Sequence, residues 1–427
     1  MKILFLTDNF PPEVNAPASR TFEHCREWVK AGHQVTVVTT VPNFPTGKVF
    51  GGYRNKWWQS EDMAGIQVIR VWSYVAENTG FAKRVVDYLS FMFMAIPASL
   101  LVRKVDVVVG TSPQFFTACA AYAVGALKRV PWVFELRDIW PESIRVVGAM
   151  KDSLALDLLE KLELFLYRKA KMVVSVTNAH RDNLIARGIQ CSKIQVVTNG
   201  VDIGRFLPCS KDASLVSRYG LEGKFVAGYI GTLGMAHGLD TVLDAAKLMA
   251  AAADADSYRF VLMGDGAQKA GLMARASAEG LYNVIFVDSV PKDEVVRYWS
   301  MLDVALIHLK RDDLFKTVIP SKMFESMGMA IPLLHGVQGE SAEILEREDV
   351  GILFEPENAE ALCQGLRRLS DDESLYARLR SNGPIAARNY DRNVLAASLL
   401  RHLEIIAGGG VNPVPATAED PTAGRVA

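Results

Sequence analysis

The sequence predicts an α/β protein made of two successive doubly wound units, each a parallel sheet with helices on both faces. Three observations predict it. The chain has 427 residues, beyond the size at which one hydrophobic core usually stops growing. Short apolar runs rich in β-branched residues alternate with amphipathic stretches, as parallel sheets with crossover helices require. The alternation stops near Phe206–Ser217, a polar stretch holding Pro208, and then begins again.

In the first half Ile3–Thr7, Gln34–Thr40, Val105–Gly110, Trp132–Leu136, Met172–Val176 and Ile194–Val197 read as strands, and Ser19–Ala31 reads as a helix stopped by Gly32. In the second half Phe225–Ile230, Arg259–Met263, Val284–Val287, Val304–Ile307 and Ile331–Leu334 read as strands, with a helix through Leu239–Ala252. The expected division is 1–205, 206–385, a helix within 386–407 (about Val394–Ala407) and a tail, 408–427. That tail lacks aromatics and has little to bury, so disorder is expected there.

Formal charge is nearly balanced at −1, with no long basic run. Nucleic acid is therefore not an expected partner, because neutralising phosphates takes clustered Lys and Arg. Cys25, Cys119, Cys191, Cys209 and Cys363 have neither zinc nor redox spacing, which suits a reducing cytoplasm and no metal. The opening residues Met1–Asp8 read as a buried strand rather than a secretory signal. Tyr88–Val102 carries no charge and is flanked by Lys83, Arg84, Arg103 and Lys104. A spanning helix takes roughly 20 apolar residues, so this segment, interrupted by Pro97, is expected to be too short. It reads either as a helix packed on the sheet or as an apolar face dipping into an anionic inner leaflet.

Ligands of open parallel sheets sit at the carboxyl ends of strands, so the loops there are read first. Asp8–Arg20 is long, glycine-poor and stiffened by three prolines. It is either a rigid connection or a wall that presents Glu13, Asn15 and Arg20. Glu135-Leu136-Arg137-Asp138-Ile139-Trp140-Pro141-Glu142 follows another strand. There Asp138 is a candidate base or sugar-hydroxyl acceptor and Arg137 a candidate phosphate partner, unless Arg137 pairs with a neighbouring acid. Gly231-Thr232-Leu233-Gly234-Met235-Ala236-His237-Gly238 lies between a strand and a helix, where bare backbone N–H groups can approach a phosphate. Gly264-Asp265-Gly266 is another strand-end turn, which either contacts nucleotide or is a plain turn. Lys322 opens a helix, against its dipole, which is sensible if it faces an anion. Glu325, nearly one turn on, is placed to take ribose hydroxyls. Asp254-Ala255-Asp256 lies away from any strand end and is not read as a metal pair.

Taken together, Phe10-Pro11-Pro12-Glu13, Arg137–Glu142, Asn199-Gly200-Val201-Asp202, Gly231–Gly234 and Pro320-Ser321-Lys322 leading to Glu325 resemble glycosyltransferase family 4, retaining enzymes of the GT-B fold. Within it the chain resembles bacterial polysaccharide and O-antigen transferases of the N-acetyl-L-fucosamine type. The resemblance implies two Rossmann-like domains with the donor in a cleft between them and a C-terminal crossover helix. It implies that Glu13, Arg20 and Arg137 face the acceptor, with Asp138 catalytic beside them. It also implies that Asn15, Gly231, Thr232, Gly234, His237, Gly264, Gly266 and Glu325 bind the donor, whose diphosphate Lys322 neutralises. The implied partners are a UDP- or GDP-linked sugar and an acceptor on a polyprenyl-diphosphate carrier. The implied location is the cytoplasm, peripheral on the inner face of the plasma membrane through 88–102. No cofactor or metal is expected. Three positions depart from the family pattern. Thr317 stands for the first of two glutamates, Thr232 for a common arginine and His237 for a common lysine, leaving Lys316 or Arg311 as reserve cations. Two other readings suit the same fold: a UDP-sugar 2-epimerase, and a catalytically idle nucleotide-sugar-binding partner of a synthesis complex.

Overall fold

A computed structural model describes residues 1–44, 47–75, 81–139, 154–291 and 293–409. Trp140, Pro141, Glu142 and the tail from 410 lie outside the described residues. The chain divides into two compact units, Met1–Thr198 with Asn393–Ala427, and Asn199–Arg392.

The first unit holds an eight-stranded sheet built from β1 (Lys2–Leu6), β2 (Gln34–Thr40), β3 (Trp58–Met63), β4 (Ile66–Val71), β5 (Val107–Thr111), β6 (Trp132–Leu136), β7 (Met172–Ser175) and β8 (Ile194–Val196). Its order is β3-β4-β2-β1-β5-β6-β7-β8, and only β3 runs antiparallel. Central β1 is buried on both faces. Leu4 and Leu6 enter one core with Phe134 and Leu136, while Ile3 and Phe5 enter the other with Trp28. The β3–β4 hairpin escapes the sequence reading because Trp58–Met63 is a half-exposed edge strand. Its turn, Ala64-Gly65, has φ of 56° and 82°, as tight hairpins of this hand need.

The apolar segment is longer than expected. A continuous helix spans Phe81–Leu101 with Pro97 inside it, and its stretch Lys83–Leu101 is long and apolar enough to cross a membrane by length and composition. Only 22% of that stretch is buried. It packs on the Phe115–Lys128 helix, and Phe93 and Leu101 remain 65% and 71% exposed.

The second unit carries six parallel strands, β9 (Phe225–Ile230), β10 (Tyr258–Met263), β11 (Val284–Val287), β12 (Val304–His308), β13 (Leu333–Gly336) and β14 (Gly351–Leu353), in the order β11-β10-β9-β12-β13-β14. The division falls at Thr198/Asn199 and Arg392/Asn393, not at 205/206 and 385/386. Val201 explains the first shift: it bridges Asp391 and donates its N–H to the Tyr390 carbonyl at 2.9 Å. Phe206, 1% exposed, lies in the second unit's core. The terminal helix, Arg392–Ala407, packs Ala396, Leu399 and Leu403 with Trp28 in the first unit's core. The Trp28 indole N–H donates to the Ala396 carbonyl at 2.9 Å. In both sheets the strand order reverses beside the first strand of the unit, between β1 and β5 and between β9 and β12. Those switch points are where open α/β sheets present a ligand crevice.

Candidate active site

At the second switch point β9 runs into Gly231-Thr232-Leu233-Gly234, a 3₁₀ turn at Met235–His237, and the helix Asp240–Ala250. This loop is zipped to the turn after β10. Gly231 N–H donates to the Met263 carbonyl, Leu233 N–H to Asp265 and Gln268 N–H to Leu233, each at 2.9 Å. The packing fixes why glycine stands at two places. A Cβ on Gly264 would collide with the Gly231 carbonyl. A Cβ on Gly231, whose φ is 149°, would lie 2.7 Å from Lys322 Nζ. Gly266 N–H donates to the Asp265 carboxylate at 2.8 Å.

Lys322 reaches this loop from the first residue of the helix Lys322–Gly328. Its side chain as a whole is half-buried, yet its Nζ is enclosed and meets no hydrogen-bond acceptor among the described residues. The nitrogen lies 3.5 Å from the centroid of the Tyr229 ring. Burial pushes the Lys322 ammonium down to about 7, against the opposing pull of Glu325. An enclosed ammonium without a hydrogen-bond acceptor is costly, and an anion arriving here would relieve that cost.

His237 is pushed down to about 3, first by burial, then by Lys322, so it is neutral at physiological pH. His308, at the end of β12, holds the turn in place. Its Nδ1 meets the His237 carbonyl at 2.7 Å, while its Nε2 receives the Glu357 N–H at 2.9 Å. A carbonyl can only accept and an amide N–H can only donate, so His308 is the neutral Nδ1–H form. Tyr229 and His308 were not among the residues the sequence singled out.

The reserve cations are committed elsewhere. Arg311 pairs with Glu355 at 2.6 Å, and Lys316 sits in an exposed pair with Asp313 at 2.7 Å. Thr317 donates its hydroxyl to the Leu314 carbonyl at 2.7 Å, which closes its own turn.

In the first unit two of the three expected acceptor-facing residues, Glu13 and Arg20, turn out to be scaffold. The Glu13 carboxylate, 3% exposed, accepts N–H bonds from Asn43 and Phe44 at 2.9 and 2.8 Å and from Phe10 at 3.2 Å. Arg20, 4% exposed, donates to Glu135 at 3.0 Å and to the Val197 and Thr198 carbonyls at 2.9 and 2.6 Å. Burial pushes Glu135 up, but Arg20 and then Arg137 hold it below the usual range. Arg137 is itself buried; its backbone N–H donates to Ser112 Oγ at 2.7 Å, and its guanidinium charge acts on Glu135. Buried polar groups need such partners, and the Glu13 and Arg20 side chains serve the fold. Asn15 caps the Ala16–Lys30 helix through the Ala18 N–H at 2.9 Å. Asp138 is exposed just after β6.

The first switch point opens onto a pocket of about 310 Å³ lined by Asp8, Asn15, Arg84, Asp87, Tyr88 and Gln114, among others. Burial pushes Asp87 up to about 7, with Arg84 opposing. Asp8 is raised well above the usual range by burial, then by Asp87 and Glu13. Asp8 and Asp87 were not foreseen as a pair, since nothing in the sequence couples a strand end to a distant helix turn. Among the described residues no group of three or more His, Cys, Asp or Glu is placed to hold a metal. Asp254 and Asp256 are engaged instead with Arg367 and with Lys224 and Arg259.

Two parallel-sheet α/β units, the second with a glycine loop over an enclosed lysine, define the GT-B class. The chain belongs to glycosyltransferase family 4: residues 15–200 match the glycosyl transferase 4-like domain and residues 216–385 match glycosyl transferases group 1. It is a glycosyltransferase. WcaI of Escherichia coli strain K12, named as a colanic acid biosynthesis glycosyl transferase, is 25% identical over 380 residues, 86% of this chain and 92% of WcaI. Two solved structures share the fold. Sucrose-phosphate synthase from Thermosynechococcus elongatus gives a TM-score of 0.74 at 14% identity, covering 96% of this chain and all of that one (100%). HepE from Anabaena, in complex with UDP-glucose, gives 0.69 at 16% identity, covering 95% and 99%.

Proposed function

We propose that the protein is a retaining glycosyltransferase that moves a sugar from a UDP- or GDP-linked donor to an acceptor hydroxyl in cell-surface polysaccharide or O-antigen synthesis. One observation carries the reading: the enclosed Lys322 nitrogen, without a hydrogen-bond partner among the described residues, beneath Gly231 at a switch point. The name of WcaI and the ligand of HepE support it. In this reading the backbone of Gly231, Thr232, Gly234, Gly264 and Gly266 lies along the diphosphate, neutral His237 donates to it, and Lys322 neutralises it. Glu325 takes the ribose hydroxyls.

As the bond from the anomeric carbon to the β-phosphate oxygen breaks, its electron pair stays on the diphosphate. The acceptor oxygen bonds to that carbon from the same face and gives its proton to a base, for which Asp138 is the exposed carboxylate we choose. Lys322 and the N–H groups of Thr232 and Gly234 stabilise the growing charge, and the proposal uses no metal. A polyprenyl-diphosphate-linked saccharide is the proposed acceptor, met at the cytoplasmic face of the membrane. The exposed Phe93 and Leu101, followed by Arg103 and Lys104, support that setting.

Lys322→Ala tests the assignment. Turnover with donor and acceptor is expected to fall about 10²–10³-fold, the usual effect of removing one such donor. Melting temperature is expected to hold or rise, because an enclosed ammonium without a hydrogen-bond acceptor among the described residues leaves the interior. Near-normal turnover would sink the reading.

A further inference from the structure

Tyr229 is fully buried on β9. Its hydroxyl donates to the Thr232 carbonyl at 2.7 Å, which pins the ring plane against the phosphate loop. The ring face is turned to Lys322 Nζ, and no hydrogen-bond acceptor among the described residues competes for that nitrogen. Gly231 leaves the space that a Cβ would take. A desolvated ammonium over an aromatic face is attracted by the ring quadrupole, so the ring holds this nitrogen in line.

We propose that Tyr229 is the positioning residue for Lys322: its ring keeps the nitrogen under Gly231 until the donor diphosphate becomes the counter-charge, and donor binding thereby draws a proton into the site. The inference rests on the donor reading above. The groups around the nitrogen support it. Tyr229 faces it from β9, His237 from the following turn and Glu325 from its own helix, with His308 behind His237. His237 is neutral, and the pull of Glu325 does not outweigh burial. With the ammonium pushed down to about 7, the amine is mostly neutral at pH 8. A bound diphosphate favours the charged form and raises the Lys322 pKa. Affinity therefore falls as pH rises through 7, by about tenfold between pH 6 and 8.

Calorimetry of the full chain with UDP-glucose and GDP-mannose, in buffers of different ionisation enthalpy, reads this directly. Neither sugar nucleotide titrates near neutrality, so the expected uptake is about 0.9 proton at pH 8 and about 0.1 at pH 6. Tyr229→Leu is expected to weaken donor binding about tenfold at pH 8 and to move its pH dependence to lower pH. Tyr229→Phe keeps the ring and is expected to regain most of that loss. Melting curves for both variants separate lost packing from lost positioning. Binding by the wild type without proton uptake, or an unchanged pH dependence in folded Tyr229→Leu, overturns the inference and leaves the donor reading standing. If the wild type binds neither sugar nucleotide, both fall together.

Discussion

Gly231→Ala is the sharpest perturbation of the phosphate loop. The added methyl would lie 2.7 Å from Lys322 Nζ and 3.2 Å from its Cε, at a backbone φ of 149° that L residues rarely adopt. Two costs follow, and they are of different kinds. The backbone strain is roughly 1–3 kcal/mol, which lowers the melting temperature of a unit this size by about 3–10 °C. The contact itself falls on the free end of a flexible side chain, so the lysine moves rather than the loop. Displacing that ammonium removes one preorganised donor, worth about 10²–10³ in turnover. Steady-state kinetics with a saturating donor, run well below the measured melting point, isolates the second cost. Gly264→Ala is the control of opposite character, because its clash is with the Gly231 backbone carbonyl, which cannot step aside. It should damage folding first. Near-wild-type turnover in a folded Gly231→Ala protein would refute the claim that the lysine's place under this glycine matters.

Two further outcomes follow from the first unit. Asp87 is raised to about 7 in the folded chain, against an unfolded value near 3.9, so the folded state binds more protons between those values. Stability of this unit should fall as pH rises from about 4 to about 7, by at most about 1.4 kcal/mol per pH unit. Asp87→Asn should flatten that slope in pH-resolved melting curves, and an unchanged slope would assign it elsewhere. Replacing Phe93 and Leu101 by Glu should abolish co-sedimentation with anionic phospholipid vesicles while leaving melting unaltered, since both side chains are already exposed. Equal sedimentation of variant and wild type would end the membrane proposal.

The second unit's loop and lysine were legible in the sequence for a definite reason. Glycines after a strand and a lysine in a helix's first turn are local features, and each carries its own physical oddity. What was not legible is what distance hides. Glu13 looked like a wall residue because the amides it satisfies, at Asn43 and Phe44, lie some thirty residues away. Arg20 ties to carbonyls more than 170 residues distant, and no local pattern announces that need. Tyr229 reads as one more buried strand residue until Lys322, more than ninety residues later, sets its nitrogen over the ring. The Phe81–Leu101 helix was read only from Tyr88 because charged residues, Lys83 and Arg84 among them, bound the uncharged run, whereas the helix takes them in and continues through Pro97 at the loss of one N–H donor.

The departures at Thr232 and Thr317 are better understood together than singly. The family pattern sets an arginine at the first position and a glutamate at the second, and both are threonine here. Losing one cation and one carboxylate leaves the formal charge of the donor-binding set unchanged. It also removes the carboxylate that would help hold the remaining lysine protonated. Neither threonine replaces that service. Thr317 spends its hydroxyl on the Leu314 carbonyl, and the Thr232 carbonyl anchors Tyr229. The ammonium is left with Glu325 nearby and an aromatic face beneath it, and burial then prevails. A site arranged this way binds its anion most tightly on the acid side of neutrality. Restoring a carboxylate by Thr317→Glu should move that preference toward alkaline pH, because a second negative charge would keep Lys322 charged before the donor arrives.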